Sequence, residues 1–538
     1  MKLSYEGLKD KKLWEAQNIK LPDFDWKQMA AETEKNPVWV HFGAGNIFRG
    51  FIAGLDQKLL DRGLVRSGIV AADTFDFEII EKIYDPHDSM TVMVSLMPDG
   101  SFQKEVIASI AKGLRAGNDH PEDLKRLKEI FRSPSLQVVS FTVTEKGYAL
   151  KGMDGNYFPF VEADFKNGPD NCSHAMSRVV SLLLERYKAG AKPIAVVSMD
   201  NCSHNGEKLR ASVMTVAEKW FENKFADQGF LDWIRDENKV SFPWSMIDKI
   251  TPRPAKAVEE ELEKEGLEDM APIITSKKTF IAPFVNAENP QYLVIEDRFP
   301  NGRPPLEKAG VYMTDRETVN ATERMKVTTC LNPLHTALAV YGCLLGYTTI
   351  ASEMKDRELK TLVERIGYME GMPVVTDPRI LNPSDFIHEV IDQRFPNPFM
   401  PDTPQRIATD TSQKISVRFG ETIKSYAESS TLHVKDLTYI PLAIAGWFRY
   451  LLAVDDNGNP MECSADPMLS ELQEKLKGVK PGDPESLGNR IRPVLSNTVI
   501  FGSDLNALGL GEKIEQMVKE ELAGPGAVRA TLKKYLGT

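Results

Sequence analysis

The sequence predicts an α/β N-terminal domain followed by a mainly α-helical C-terminal domain. At 538 residues the chain is too long for one ordinary core. From Val38 to about Ile295, short β-rich apolar runs alternate with longer helical stretches, which is typical of a parallel α/β sheet. After a segment rich in proline and charge, Asp297 to Gly310, apolar residues recur at a period near 3.6. We therefore expect a boundary near residue 305, with domains 1–305 and 306–538.

Apolar runs in the first domain predict the strands. The runs VWVHF, GIVAAD, QVVSFTV and PIAVVSMD, which begin at Val38, Gly68, Gln137 and Pro193, are short, apolar and rich in β-branched residues. Two further segments, 103–113 and 280–295, have the same character. We expect these to extend the edge of the sheet.

Charge and cysteine content limit the partners and the compartment. The formal net charge of −11 repels nucleic acid and anionic lipid, and no long run of lysine and arginine opposes it. The first residues lack the apolar stretch of a signal peptide, and no apolar run has the length of a membrane span. Five scattered cysteines without a C-x-x-C pair favour reduced thiols. We expect a cytoplasmic protein that acts on a small molecule.

A glycine-containing turn follows the first strand. The run from Gly43 to Gly50, GAGNIFRG, leads from the strand into a helix that we expect to begin near Phe51. Such a turn brings backbone N–H groups and a helix N-terminus to a pyrophosphate, which predicts a Rossmann-type domain. Phe48 replaces the third glycine of G-x-G-x-x-G, so an ordinary glycine turn stays open as the alternative. The candidate cofactor-binding residues of this turn are Gly43, Gly45, Asn46, Ile47 and Arg49.

Asp73 at the end of the second predicted strand favours NAD over NADP. A carboxylate at this position accepts hydrogen bonds from the adenosine ribose and repels a 2′-phosphate. Asp73 lies 30 residues after Gly43, against the usual ~20, so a longer helix or loop must separate them. A plain turn residue before Thr74 is the alternative.

The start of the second domain places a lysine, an asparagine and a histidine close together. These are Lys326, Asn332 and His335, and Glu323 precedes the lysine by three residues. Each residue also has an ordinary structural interpretation. The lysine can be a solvated surface residue, Asn332 a helix cap before Pro333, His335 a core residue and Glu323 a helical ion-pair partner.

This segment resembles the Lys…Asn-x-x-His motif of the long-chain mannitol dehydrogenases, with one residue more than is common between lysine and asparagine. The resemblance covers nearly the whole chain. Its further blocks are Thr142 to Tyr148, Ser198 to Asn201 with Asn205-Gly206, Ser241 to Pro243 with Met246 to Asp248, Val294 to Asp297, Gly302 to Glu307, and Arg406 to Asp410 with Lys414. The family oxidises polyols and sugar acids with a nicotinamide cofactor and without a metal.

The resemblance implies a role for each matched residue. Lys326 is the general base that removes the hydroxyl proton, and burial with neighbouring positive charge would help it to do so. Asn332 and Asn201 donate hydrogen bonds to the reacting oxygen. His335 orients a substrate hydroxyl, and Glu323 acts in a proton relay or gate. The remaining matches are Thr144 and Glu145 for the cofactor, and Asp248, Arg406 and Lys414 for the substrate.

Arg253 suggests the substrate class. It stands where polyol-specific relatives tend to have small residues, and its guanidinium could bind a substrate carboxylate through two hydrogen bonds. This favours a sugar acid, and we expect interconversion of D-mannonate and D-fructuronate. Altronate with tagaturonate, and mannitol with fructose, stay open as alternatives. The oligomeric state is not fixed by the sequence, and the resemblance allows a monomer.

Three other functions compete with this expectation. Two Cys-Ser-His steps, ending at His174 and His204, suggest a zinc enzyme, but each supplies only two adjacent ligands. Cys330 could act as a nucleophile, although a cysteine near a helix start is usually a small buried apolar residue. A nicotinamide-binding sensor without turnover is the third, and the intact Lys326 segment argues against it.

The spacing of the motif also predicts a local distortion. An unbroken helix from Lys326 to His335 would place the two side chains on opposite faces, because each residue turns the helix by about 100°. We therefore expect a break or bulge between Lys326 and Pro333.

Overall fold

The computed structural model describes residues 1–152 and 154–538. It forms two compact units, Met1–Asn320 and Ala321–Thr538. The division falls within a helix, Arg316–Met325, and lies later in the chain than the boundary predicted at residue 305. Across the described part of the chain, no helix combines the length and apolarity that crossing a bilayer requires.

The first unit is built on β-sheets. Its strands are β1 (Ile19–Lys20), β2 (Trp39–Phe42), β3 (Ile69–Asp73), β4 (Thr91–Leu96), β5 (Phe102–Ile107), β6 (Ile110–Arg115), β7 (Val138–Phe141), β8 (Ile194–Ser198), β9 (Val240–Ser241), β10 (Ser245–Asp248), β11 (Ile273–Ile274), β12 (Phe280–Ile281), β13 (Phe284–Glu288), β14 (Tyr292–Glu296) and β15 (Tyr312–Thr314). Among the described residues, the main sheet has the parallel order β6-β3-β2-β7-β8-β9. The predicted parallel sheet and its strands β2, β3, β7 and β8 are confirmed.

Both faces of this sheet are buried, as a parallel sheet requires. Val40 and Phe42 of β2 point into one apolar cluster, whereas Trp39 points into the cluster on the opposite face. The period of two along the strand explains this division. The α-helices that precede the unit boundary are α1 (Lys11–Ala16), α2 (Trp26–Lys35), α3 (Ala53–Asp61), α4 (Pro121–Arg132), α5 (Glu145–Tyr148), α6 (Pro159–Asn167), α7 (Ala175–Lys188), α8 (Asn205–Glu222), α9 (Gln228–Arg235) and α10 (Lys256–Lys264).

The expectation for segments 103–113 and 280–295 was only partly correct. Both contain strands, but only β6 extends the main sheet at its edge. Strand β5 pairs with β1 and β4, β13 pairs with β4, and β14 lies between β10 and β15. For segment 103–113 the physical reason is the step at Ala108–Ser109. The Ser109 hydroxyl donates to the carbonyl of Ala53 at 2.6 Å, and its own carbonyl accepts from Ile69 N–H, which redirects the chain from one sheet to the other.

The second unit is helical, as predicted. Helix α11 (Arg316–Met325) leads into it, followed by α12 (Asn332–Leu344), α13 (Ile350–Glu353), α14 (Arg357–Glu364), α15 (Pro383–Glu389), α16 (Pro404–Ile407), α17 (Thr411–Ile415), α18 (Glu421–Glu428), α19 (Tyr439–Tyr450), α20 (Leu469–Lys475), α21 (Arg492–Leu495), α22 (Thr498–Phe501), α23 (Gly511–Glu521) and α24 (Ala527–Leu536). Helix α12 packs against α16 and α19, and α19 packs against α23. Nearly every residue of α12 and α19 is buried, so these helices form the centre of the unit.

Candidate active site

The glycine turn after β2 is shaped to approach a ligand through its backbone. Gly43 has φ +103°, and a Cβ there would lie 2.3 Å from the carbonyl oxygen of Thr142, so only glycine fits. A Cβ on Gly45 would meet nothing within 4 Å, so this side of the turn is open. The helix begins at Asn46 rather than near Phe51, and its first turns are π-helical from Phe48. Open backbone at a helix N-terminus suits a phosphate group.

Phe48 explains why the third glycine of the motif is dispensable. Its ring is buried and stacks on the imidazole of His41 in β2, with ring centroids 4.1 Å apart. The aromatic pair thus fills the space where a glycine would allow the helix to approach the strand. Ile47, beside it, packs against the apolar cluster on this face of the sheet.

Arg49 lies under the glycine turn. Its buried guanidinium donates to Thr91 Oγ1 at 2.9 Å and to the carbonyl of Ala282 at 2.8 Å. A further hydrogen bond, from Nη2 to Asn46 Oδ1 at 2.9 Å, fixes the first residue of the helix. Burial lowers the pKa of Arg49 to about 10. Arg49 therefore supports the glycine turn indirectly, by holding the side chain of Asn46.

Asp73 ends β3, as predicted, and its carboxylate binds backbone. It accepts hydrogen bonds from the N–H of Ala44 at 3.1 Å and from the N–H groups of Phe75 and Asp76, each at 2.8 Å. Burial raises the pKa of Asp73, whereas these hydrogen bonds act to lower it. Asp73 thus joins the turn after β2 to the turn after β3, which is the structural alternative considered above. The helical segment from Asn46 to Asp61 and the loop that follows account for the long spacing.

Asp200 is a functional candidate that the sequence reasoning missed. Its buried carboxylate accepts from the N–H of Val143 at 3.0 Å and of Thr144 at 2.9 Å, and Tyr148 Oη also donates to it. Thr144 has φ +67° and ψ 163°, a region that is essentially restricted to glycine. Asp200 therefore holds a strained residue at the carboxyl end of β7. The adjacent Asn201 was noticed, but nothing local in the sequence signals a contact over more than fifty residues.

Three other predicted residues of the first unit, Asn201, Glu145 and Asp248, lie at the ends of strands or at the start of a helix. Asn201 follows β8 at the carboxyl edge of the sheet. Glu145 begins α5 and forms an exposed ion pair with Lys208. Asp248 is the buried last residue of β10.

Arg253 is exposed, and its guanidinium lies over an aromatic ring. The centre of the guanidinium is 4.1 Å from the ring centroid of Phe280. Its carbonyl accepts a hydrogen bond of 3.3 Å from Asn286. The stacking covers one face of the guanidinium and does not use its N–H donors.

The predicted distortion beyond Lys326 is confirmed. Helix α11 ends at Met325, and Lys326–Cys330 is π-helical, closed by a hydrogen bond of 3.1 Å from Leu331 N–H to the Lys326 carbonyl. Leu331, at φ −131° and ψ −63°, interrupts the helix before α12 begins. Lys326 is buried, and Glu323 lies in the last turn of α11. Single-turn π segments of this kind are frequent at functional sites.

Asn332 and His335 lie in the first turn of α12. No side chain caps this helix, so the capping alternative for Asn332 is not what the structure shows. The largely buried His335 has its Nε2 3.6 Å from Asp402 Oδ2, and Nε2 has no hydrogen-bond partner within residues 1–152 and 154–538. Burial, together with nearby arginines, lowers the pKa of His335 to about 4. The imidazole is therefore neutral at physiological pH, and its Nε2 can form a hydrogen bond with a ligand hydroxyl.

Charged residues lie near His335, and the structure adds Asp402, Arg418 and Arg394 to the predicted Arg406. Arg406 forms an ion pair with Asp402, and Lys414 donates to the carbonyl of Thr409. Burial lowers the pKa of Lys414, and the charges of Arg418 and Arg406 lower it further. Asp402, Arg418 and Arg394 were missed. The spacing of Lys414 and Arg418, four residues apart in a helical segment, was the available signal.

The alternative chemistries find no support in the positions of their residues. His174 Nδ1 accepts from Met176 N–H at 3.1 Å, and its Nε2 lies 3.1 Å from the carbonyl of Ala149, so both ring nitrogens are engaged. No group of three potential metal ligands occurs in the part of the chain that is described. Cys330 is buried, which raises the pKa of its thiol to about 12. A thiol so hard to ionise is a poor nucleophile.

Known proteins match this chain along its length. The family model for the mannitol dehydrogenase Rossmann domain matches residues 38–308, and the model for the mannitol dehydrogenase C-terminal domain matches residues 318–522. A D-mannonate oxidoreductase of Thermotoga maritima is 53% identical, with 100% of this chain and 99% of that protein covered. A polyol:NADP oxidoreductase of Gluconobacter oxydans is 31% identical, with 87% and 89% covered.

Solved structures agree with the fold. The Pseudomonas fluorescens mannitol 2-dehydrogenase, in a ternary complex with NAD and D-mannitol, has a TM-score of 0.70 at 25% identity, with both chains fully covered. A substrate-free D-sorbitol dehydrogenase has a TM-score of 0.74 at 26% identity, with 94% of this chain and 98% of that chain covered. The N-terminal unit is thus Rossmann-type, and the C-terminal unit is the helical domain of the same architecture. The chain belongs to the mannitol dehydrogenase family.

Proposed function

We propose that the protein is an NAD-dependent, metal-independent oxidoreductase that interconverts D-mannonate and D-fructuronate. The observation that carries this proposal is 53% identity to a D-mannonate oxidoreductase over essentially the full length of both chains. The other named relatives act on polyols and are far less similar, at 31% identity or below. A sugar acid is therefore favoured over a neutral polyol.

The first unit is proposed to bind the cofactor. The open backbone at Gly45 and the helix that begins at Asn46 fit a pyrophosphate, and Gly43 and Ile47 shape the turn between them. Bound NAD supplies the acceptor for the hydride that leaves the substrate. Arg49 and Asp73 are proposed to hold the turn in this form, and Thr144 and Glu145 to line the cofactor at the end of β7. NAD is favoured because a related structure was solved with it.

Lys326 is proposed as the general base in the second unit. It is buried at the start of a π-helical turn, which separates its amino group from bulk water. In oxidation the neutral amine would take the hydroxyl proton, and in carbonyl reduction the ammonium would return it. Glu323, one helical turn earlier, is proposed to pass that proton onward.

Amide and imidazole groups are proposed to hold the reacting oxygen. Asn332 and Asn201 would donate hydrogen bonds to it, which stabilises the charge that develops as the proton leaves. His335 would orient a neighbouring hydroxyl through its unpartnered Nε2, and its lowered pKa keeps it neutral for this task.

The remaining contacts are proposed to select the substrate. Asp248, Arg406 and Lys414 would bind hydroxyl groups along the carbon chain. The carboxylate of mannonate lies at the end of the chain remote from the reacting carbon, and Arg253 is proposed to receive it as a bidentate pair. Its stacking on Phe280 leaves the edge donors available for this.

Cofactor oxidation with three keto substrates tests the proposal. We expect the highest kcat/KM for NADH oxidation with fructuronate, lower values with tagaturonate and the lowest with fructose. Preference for fructose would favour a mannitol 2-dehydrogenase, and preference for tagaturonate an altronate oxidoreductase. NADH binding without turnover of any of the three would instead support a nicotinamide-binding sensor.

We also propose that the protein works in the cytoplasm and binds a small-molecule substrate, without a nucleic acid or membrane partner. All five cysteines are free thiols, which fits a reducing compartment. The net charge of −11 disfavours nucleic acid and anionic membrane surfaces as partners.

A further inference from the structure

We propose that Arg418 is a positioning residue for the reaction, which acts through Thr336 to fix the first turn of α12. That turn carries Asn332 and His335, whose catalytic roles rest on the function proposed above. The hydrogen bonds that connect Arg418, Thr336 and Asn332, called the tie below, do not involve the substrate.

The tie is a chain of two hydrogen bonds. Arg418 Nη1 donates to Thr336 Oγ1 at 2.6 Å, and Thr336 Oγ1 donates to the carbonyl oxygen of Asn332 at 3.0 Å. A hydroxyl has one proton and two lone pairs, so Thr336 can perform both tasks at once. The guanidinium is therefore connected through one side chain to the backbone of Asn332.

The first turn of α12 needs such a tie because its local supports are weak. It has no side-chain cap, so no side chain at the helix start accepts from the first N–H groups. The chain immediately before it is π-helical and is then interrupted at Leu331. Arg418 comes from a different segment, the π-helical turn Ser416–Gly420, which packs against α12. A long-range contact thus supports the turn from outside, through the carbonyl of Asn332.

Arg418 also contributes to the charge that surrounds His335. The charged groups near this imidazole are Asp402, which favours its protonated form, and Arg418, Arg406 and Arg394, which oppose it. Arg418 is itself largely buried, and burial lowers its own pKa to about 10, so it remains a cation at neutral pH. The same residue that fixes the turn therefore helps to keep His335 neutral.

Paired threonine variants isolate the hydrogen-bonded tie. Thr336→Val removes the hydroxyl and leaves the Arg418 charge in place. Thr531→Val is the matched control, because Thr531 is also buried in a helix and donates to the carbonyl four residues earlier, Ala527, at 2.8 Å. We expect Thr336→Val to lower kcat with fructuronate by at least tenfold while the Kd for NADH changes less than twofold, since small displacements of catalytic groups cost this much or more. Equal kcat values for the two variants would overturn the proposal.

The titration of His335 tests the electrostatic effect of Arg418 on this imidazole without using turnover. In the ¹³C-histidine NMR spectrum of the full chain, the His335 signal is identified by its loss in His335→Asn. We expect Arg418→Met to raise the pKa of His335 above that of the wild type, whereas Thr336→Val leaves it close to the wild-type value. An unchanged pKa in Arg418→Met would contradict the assigned role. If none of the substrates is turned over, the proposed function fails, but the titration still decides whether the charge of Arg418 acts on His335.

Discussion

Replacement of the buried Glu521 by glutamine should change how the stability of the helical unit depends on pH. Glu521 is fully buried at the end of α23, and its Oε1 lies 2.7 Å from Tyr341 Oη. The same phenol lies 2.7 Å from the carbonyl of Leu442. Tyr341 has one proton for these two acceptors, so a protonated Glu521 that donates to the phenol satisfies all three groups. Burial accordingly raises the pKa of Glu521 to about 8.

The raised pKa gives both the sign and the size of the effect. The stabilising contribution of neutral Glu521 is fully present below its ordinary pKa of 4.5 and is lost as pH rises through about 8. A shift of about 3.5 units at 1.36 kcal/mol per unit sets an upper limit of roughly 5 kcal/mol on this loss. Glutamine stays neutral and can donate to Tyr341 throughout, so Glu521→Gln should not show the loss.

Urea unfolding at a series of pH values measures this difference. Amide hydrogen exchange of the buried helix α19, followed along the urea series, can report on the unit, because α19 packs against α23. We expect the stability difference between Glu521→Gln and the wild type to grow in favour of the variant from pH 5 to pH 8.5. The matched control is Glu520→Gln, whose carboxylate is paired with Lys534 and has a lowered pKa, so it should show no such growth. A difference for Glu521→Gln that is constant across this range would refute the reasoning.

Three further substitutions test individual assignments. Asp200→Asn removes one of the two oxygen acceptors that bind the N–H groups of Val143 and Thr144, which should cost about 1–3 kcal/mol of stability. The Kd for NADH, measured by fluorescence titration, should rise as a result. An unchanged Kd would show that Asp200 does not support cofactor binding. Arg253→Ala should lower kcat/KM for mannonate more than for mannitol, and equal losses would count against its carboxylate role. Cys330→Ser should retain the kcat of the wild type, because the buried thiol is not ionised, and a loss of a hundredfold or more would restore the nucleophile hypothesis.

The sequence predicted those parts of the fold that depend on local patterns. Strands β2, β3, β7 and β8 were found because buried parallel strands are short, apolar and separated by helices. The interruption at Leu331 followed from helix geometry together with the motif, since Lys326 and His335 were expected to serve one site and cannot share a face of a regular helix. The strands in segments 103–113 and 280–295 were found, but their sheets were not, because strand pairing depends on contacts between distant parts of the chain.

The residues of the candidate site that belong to sequence motifs were predicted. Those that act through contacts between distant parts of the chain were missed. Asp200 binds Thr144 across the gap between β7 and β8, and Arg418 binds Thr336 between separate helical segments. For Asp73 the pattern predicted a ribose contact, and the fold adds hydrogen bonds from backbone N–H groups to the same carboxylate, which the sequence did not indicate. Sequence spacing identifies the residue types at a site, whereas their hydrogen-bond partners require the fold.

Chemical rescue of Lys326→Ala tests the central assignment most directly. If Lys326 is the general base, the variant should lose a factor of 10² to 10⁴ in kcat, while the Kd for NADH stays within twofold. Added primary amines should restore part of the rate, and Lys424→Ala, which removes an exposed lysine of α18, should behave as the wild type. A kcat within tenfold of the wild type for Lys326→Ala, or a lost rate that no amine restores, would contradict the assignment of Lys326 as the base.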